Sequence, residues 1–210
     1  MHSPMVFNLA NMVKEDVVSK STWSHRQMMN AFNGTKCGIV IHCGKCINPA
    51  LQDQSMKQVI DIINTNHKPS DPLLLLENAA GQGTEIGITL DEFRKIREQL
   101  DRPNIGMCLD TCHAFAAGWY PYDPVLFLNI IEDFDPKFLR VIHLNDSERM
   151  YNSRIDRHAN LGDGYIWKDA NDEHLLKFVK ECSSRDIDMV LETRNSVQDS
   201  YRLNHYLKSS

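Results

Sequence analysis

Nine of the chain's histidine, aspartate and glutamate side chains are candidates to bind divalent cations through nitrogen or oxygen: His2, His42, Glu77, Asp110, His113, His143, Asp156, His158 and Glu192. Imidazole nitrogen and carboxylate oxygen together suit Zn²⁺, and Mn²⁺ or Fe²⁺ less well, whereas Mg²⁺ prefers all-oxygen surroundings. A cation held this way acidifies water and neutralises charge on a substrate oxygen, so the chemistry on offer is metal-assisted. A lone histidine is ordinarily a hydrogen-bonded core or surface residue. Nine such groups gathered in one pocket without metal would leave several charges and polar groups uncompensated, which is expensive.

The gathering is implied by where five of them stand. Five short apolar runs read as strands: Gly38-Ile39-Val40-Ile41, Leu73-Leu74-Leu75-Leu76, Ile105 to Leu109, Leu139 to Ile142, and Met189-Val190-Leu191. They are continuous rather than alternating, as for strands buried on both faces of a parallel sheet. The residues directly after them are His42, Glu77, Asp110, His143 and Glu192. Their spacing is at or above the roughly 30 residues of a βαβ unit. Helical stripes lie between: Met56, Val59, Ile60 and Ile63; Leu90, Phe93, Ile96, Arg97 and Leu100, opened by a capping box at Thr89-Leu90-Asp91-Glu92; Val125 to Phe134; and Leu175, Leu176, Phe178 and Val179. Strand and helix alternate, the pattern of an α/β protein. In a TIM-type (β/α) barrel the C-terminal strand ends converge on one face, where the active site is built. His113, Asp156 and His158 lie just beyond two of those ends, and His2 near the chain start.

Several blocks extend the match beyond single residues. Leu76-Glu77-Asn78-Ala79-Ala80-Gly81-Gln82-Gly83-Thr84, Cys108-Leu109-Asp110-Thr111-Cys112-His113, His143-Leu144-Asn145-Asp146-Ser147, Ser153-Arg154-Ile155-Asp156-Arg157-His158, Leu161-Gly162-Asp163-Gly164 and Leu191-Glu192-Thr193 resemble the signature blocks of the endonuclease IV family of apurinic/apyrimidinic endonucleases. The resemblance runs over nearly the whole chain and implies one TIM-barrel domain over residues 1–210. It implies three Zn²⁺, with Mn²⁺ admissible at one site. His2, His42 and Glu77 would hold the first ion; Glu77 would bridge to a second that also takes Asp110, His143 and Glu192; His113, Asp156 and His158 would hold the third. Glu77 and Glu192 would stand at the reaction centre around a zinc-bound hydroxide. The implied reaction is hydrolysis of the phosphodiester 5′ to an abasic nucleotide in double-stranded DNA, leaving a 3′-hydroxyl and a 5′-deoxyribose phosphate for base excision repair. An abasic sugar costs least to flip out of the stack, which favours it as substrate.

Arg154, Arg157, Lys45 and Arg149 adjoin the ligand blocks and could meet backbone phosphates. Two stretches depart from the family, Ser3-Pro4-Met5-Val6 and Gly118-Trp119-Tyr120, and there Met5, Val6 and Trp119 are candidate wedges into DNA. His2 corresponds to the end of the family's third strand, so the barrel is expected to be incomplete at its N-terminus, without the first two strands and most of the third. Such a barrel exposes sheet edges, which favours self-association or a partner that completes it.

The remaining features narrow the class. No run approaches the roughly 18 apolar residues of a membrane span, and the start lacks a signal-peptide pattern, so an intracellular, reducing setting such as cytoplasm or nucleus is expected, a viral origin included. Cys43-Gly44-Lys45-Cys46 lacks the second ligand pair a zinc finger needs. The glycine-rich Gly81-Gln82-Gly83-Thr84 lacks the ending of a nucleotide-binding loop. The net charge of −5 looks unfavourable for a DNA partner, but three Zn²⁺ would bring it to about +1. Two other readings use the same residues: a divalent-metal sugar isomerase on the same fold, and a non-catalytic DNA- or metal-binding remnant.

Overall fold

The computed structural model describes residues 1–4, 6–119, 123–133, 137–168 and 172–209. Its backbone forms two compact units, Met1–Met107 and Cys108–Ser210.

In the first unit, helix α1 (Glu15–Ala31) precedes strand β1 (Ile39–His42), helix α2 (Gln52–Asn66), strand β2 (Leu74–Glu77), helix α3 (Leu90–Gln99) and the start of strand β3 (Ile105–Asp110). Their order in the sheet is β1-β2-β3. The strands fall within one residue of the apolar runs, and β2 and β3 are buried throughout, as two-sided packing requires. α2 turns Val59, Ile60 and Ile63 inward along the expected stripe. α3 opens on the capping box: the Thr89 hydroxyl accepts the Glu92 N–H at 3.2 Å, and the Glu92 carboxylate accepts the Thr89 N–H at 3.3 Å. α1 has no apolar stripe to announce it. Its inward face is Ser21, His25, Met28 and Met29, helically spaced but half polar. His25 and His67 are each 1% exposed, with ring centroids 5.6 Å apart. Asp71 accepts the Arg26 guanidinium and the Lys68 N–H beside them. Burial, then the neighbouring His67, pushes the His25 ring down to about 4.

Parallel partners in a sheet point to the same side, and alternate residues along a strand share that side. β1 and β2 are parallel with His42 opposite Glu77, so these two side chains project together. His2 forms an isolated parallel bridge with Val40, two residues before His42, which places it on the same face.

The second unit contains the end of β3, helices α4 (Thr111–Ala116) and α5 (Pro124–Glu132), strand β4 (Leu139–His143), the two-residue strands β5 (Asp146–Ser147) and β6 (His158–Ala159), helix α6 (Glu173–Ser184), strand β7 (Asp188–Val190) and helix α7 (Ser196–Ser209). Here the order is β3-β4-β7. α6 buries Leu175, Phe178, Val179 and Cys182. α5 turns Leu128 and Ile131 inward and leaves Leu126 exposed; Phe134, at the end of its expected stripe, lies outside the described residues. The continuous apolar run at β7 predicts burial on both faces, yet Asp188 and Val190 are exposed, so only one face of this strand is covered by described residues. β4 and β7 are parallel with His143 opposite Val190, and Glu192 stands two residues later on the same side.

β5 and β6 pair antiparallel, Ser147 opposite His158, and return the chain to the end of β4. The buried Asp146 carboxylate fastens the segment beyond β6. It accepts the N–H groups of Ser147 and Ile166, both at 2.8 Å, and of Gly162 and Gly164 at 3.0 and 3.1 Å. Gly164 is needed there, because a Cβ would fall 2.4 Å from Asp146 Oδ1.

Candidate metal centre

In the first unit the Glu77 carboxylate, 1% exposed, receives both imidazoles on one oxygen. His2 Nε2 lies 2.9 Å and His42 Nε2 3.3 Å from Glu77 Oε2. His2 Nδ1 contacts the Ser3 carbonyl at 2.8 Å, which fixes the ring and directs the other nitrogen at Glu77. Two donors bonded to a tetrahedral zinc at ~2.0–2.1 Å stand about 3.3 Å apart. The three side chains therefore already stand at the spacing of ligands on one ion.

In the second unit the Asp110-Thr111-Cys112-His113 spacing has a local cause. Asp110 ends β3 and caps α4, its Oδ1 accepting the His113 N–H at 2.7 Å. That leaves Oδ2 for His158 Nε2 at 3.6 Å and His143 Nδ1 at 4.0 Å. His143 Nδ1 is also 3.3 Å from Glu192 Oε2. Asp156 lies between two rings, Oδ2 3.3 Å from His113 Nε2 and Oδ1 3.2 Å from His158 Nε2. Burial works to raise the Asp156 carboxyl, but hydrogen bonds from His113 and His158 overcome it and hold the group well below the usual carboxylate range. Burial likewise works to lower His158, while Asp156 and Asp110 raise it. The His113–Asp156–His158 donor atoms all lie within 4.8 Å of one another.

Each set consists of imidazole nitrogens and carboxylate oxygens at coordination spacing, a donor chemistry that fits zinc. Of the cysteines, Cys112 lies near Asp110 and His158; burial, then the Asp110 charge, pushes its thiol up to about 12. Cys43 is pushed up to about 12 by burial, and the Cys46 thiol is engaged with the Asn48 carbonyl at 2.8 Å, consistent with core packing.

The candidate DNA-contacting residues are more dispersed. Arg154 and Arg157 are exposed on the segment that carries Asp156 and His158. Arg154 Nε donates to Asn152 Oδ1 at 3.2 Å, and Arg157 donates to the Asp156 carbonyl at 2.7 Å. Arg149 is exposed nearby. Lys45 faces Glu85 at 3.2 Å. Val6 is 84% exposed, Trp119 is half-buried, and Met5 lies outside the described residues. Sequence reasoning assigns no role to Asn145 or Thr111. Both are buried among the second unit's candidate ligands, and their only sequence signal is position beside ligands in the quoted blocks.

The family model described as xylose isomerase-like TIM barrel matches residues 1–208. A probable endonuclease 4 of Mycoplasma mobile is 32% identical over 92% of this chain and 67% of its own length. The apurinic-apyrimidinic endonuclease 1 of Plasmodium berghei is 36% identical over 75% of this chain, and there the match spans only 31% of the relative. The crystal structure of endonuclease IV from Thermus thermophilus superposes with a TM-score of 0.78 at 28% identity, covering 100% of this chain and 76% of that one. The fold thus falls within the xylose isomerase-like TIM barrels. Within that class, the chain belongs to the endonuclease IV family.

Proposed function

We propose that this chain is a zinc-dependent AP endonuclease that hydrolyses the phosphodiester 5′ to an abasic site in double-stranded DNA. The products would be a 3′-hydroxyl and a 5′-deoxyribose phosphate, and the process served would be base excision repair. The observation that carries the reading is the spacing of imidazole nitrogens and carboxylate oxygens within the candidate ligand sets. Family membership and the relatives' names support the rest.

In this reading His2, His42 and Glu77 would hold one zinc, Asp110, His143 and Glu192 would serve a second, and His113, Asp156 and His158 would hold the third. Zinc, when bound, lowers the pKa of water and stabilises charge on a phosphate and its leaving oxygen. The chain's own residues do the positioning. Asp110 anchors α4 with one oxygen and leaves the other for the centre. Asp156, ionised by its two histidines, keeps both rings directed inward. Arg154 and Arg157 extend from the ligand segment to meet phosphates on either side of the lesion, with Lys45, Val6, Met5 and Trp119 as further contacts. Incubation of the purified chain with a duplex carrying one abasic site, after metal removal and again after zinc is restored, tests the proposal. The expected result is about three zinc per chain and a single zinc-dependent cut 5′ to the lesion. Binding without cleavage in the presence of zinc would reduce the chain to a DNA-binding remnant. One or two Mn²⁺ or Mg²⁺ per chain and no cut would point to sugar isomerisation.

A further inference from the structure

Asn145 is fully buried and lies between two candidate ligands of the second unit. Its side-chain amide nitrogen donates to Asp110 Oδ2 at 2.7 Å and to Glu192 Oε2 at 3.3 Å. Its side-chain oxygen accepts the Glu192 main-chain N–H at 3.1 Å. The Asn145 backbone is fixed in turn: its N–H donates to Thr111 Oγ1 at 2.9 Å, and the Thr111 hydroxyl donates to the Asn145 carbonyl at 2.6 Å. One amide thus uses both its N–H bonds and its oxygen on the two acidic residues. Glu192 gains most from this support, because it stands beyond Val190, the last residue of β7, where the sheet ladder no longer sets its direction.

Two carboxylates facing one cation repel each other whenever the cation is absent, and each can rotate away from it. A donor placed between them offsets that repulsion without adding charge, and it selects the rotamers in which the remaining lone pairs point at the ion. Asparagine meets these needs. Aspartate in its place would put a third carboxylate oxygen within 2.7 and 3.3 Å of the other two, and a hydrophobic residue would withdraw a donor from both carboxylates at once.

We infer that Asn145 is a positioning residue that preorganises Asp110 and Glu192 as a carboxylate pair for a divalent cation, acting through them rather than on the substrate. The inference deepens the zinc reading above and rests on it for the identity of the ion. Outer partners of metal ligands typically carry about 10- to 100-fold in metal affinity or activity.

The test measures zinc affinity by competition with a chromophoric chelator, with no DNA present, for the full chain and for Asn145→Ala and Asn145→Asp. Asn145→Asp keeps the volume and the acceptor for the Glu192 N–H and replaces the donating amide nitrogen with a further carboxylate oxygen. Both variants are expected to bind at least one zinc about 10- to 100-fold more weakly, Asn145→Asp at least as weakly as Asn145→Ala. The metal-free variants are expected to melt somewhat below the parent, since the donors no longer offset the carboxylate repulsion, but by less than the lost zinc affinity would require. Zinc binding as tight as the parent's in Asn145→Asp would overturn the inference. So would a loss of melting temperature in the metal-free state large enough to account for the lost affinity, and so would a parent chain that takes up no zinc. A parent that binds zinc tightly but leaves abasic DNA intact would refute the nuclease reading alone and leave the Asn145 result standing.

Discussion

In the first unit two of the three candidate ligands, His2 and His42, have side chains 31% and 33% exposed. In the second unit three of the six, Asp110, His113 and His143, are at most 5% exposed, while His158, Glu192 and Asp156 are 23%, 32% and 33% exposed. The mode of attachment differs as well. His2 sits on an isolated bridge, and its ring rests on the carbonyl of its own neighbour, Ser3. Asp110 is simultaneously a strand end, a helix cap and an acceptor for Asn145. The second set is therefore held in place by packing and by hydrogen bonds from several elements, and the first chiefly by strand register and one buried carboxylate. A preorganised set loses less ordering entropy on binding an ion, so the two units should differ in how easily they lose metal.

The largest effect is expected from removing a candidate carboxylate ligand of the second unit. Glu192→Gln is expected to reduce cleavage of abasic DNA by about 10³-fold or more, since metal-based charge stabilisation contributes several kcal/mol and each ~1.36 kcal/mol is tenfold. Far-UV circular dichroism should stay close to that of the parent. Activity near the parent level would contradict the placement of the centre.

Acid should distinguish the units next. The His25 ring titrates near 4 in the folded first unit against about 6.5 in an unfolded chain. Between those values the unfolded state binds the extra proton, so stability falls as pH drops from about 6.5 toward 4 and is fully present above that window. The loss at the bottom of the window is about 3 kcal/mol. His67 is also lowered by burial, which adds loss of the same sign. Hydrogen exchange measured from about pH 7 to pH 4 should show α1 losing protection, and His25→Leu should remove much of that dependence. An α1 equally protected at both ends would be inconsistent with this account.

The exposed ligand gives a smaller effect. His2→Ala removes one of the first set's three candidate donors and should weaken that zinc by at least the roughly 10- to 100-fold that an outer partner contributes, leaving the other ions in place. Metal analysis after dialysis against a weak chelator would register it, and the loss of all three ions would mean that the sets are not independently held. The smallest effect serves as a control. Thr89→Ala removes the cap of α3 and should cost about 1 kcal/mol of stability, read by denaturant titration, with zinc content unchanged.

Much of this arrangement can be read from the residues. β1 to β3 are visible because buried parallel strands are continuous apolar runs, β4 despite the exposed Arg140 within it, and each of the four ends in the candidate ligand that closes the run. Parallel register then makes the convergence of His42 with Glu77 foreseeable. What escapes is structure held by polar residues. α1 directs Ser21 and His25 inward along with its methionines, so its apolar stripe is broken. α7 buries Leu203 but also Asp199, which accepts from the Thr193 hydroxyl at 3.1 Å. β5 and β6 are two residues each, too short for any periodicity. Asn145 cannot be singled out because an asparagine after a strand is a common turn residue, and its role depends on side chains distant in sequence. The continuous-run rule also overstates β7, where one face is left open among the described residues.

The grip of Asp146 on Gly162, Gly164 and Ile166 bears on how the protein ages in a cell. The stretch from Asn160 to Lys168 has neither helix nor strand and contains two glycines, the kind of segment proteases usually nick first. Its amides are instead turned toward a buried anion, and Tyr165 N–H is held by the Ser147 carbonyl at 2.9 Å, so it cannot easily straighten into a protease cleft. Digestion should spare this strap in the parent chain. With Asp146→Leu the strap should become an early cutting point, severing the polypeptide between His158 and Glu192.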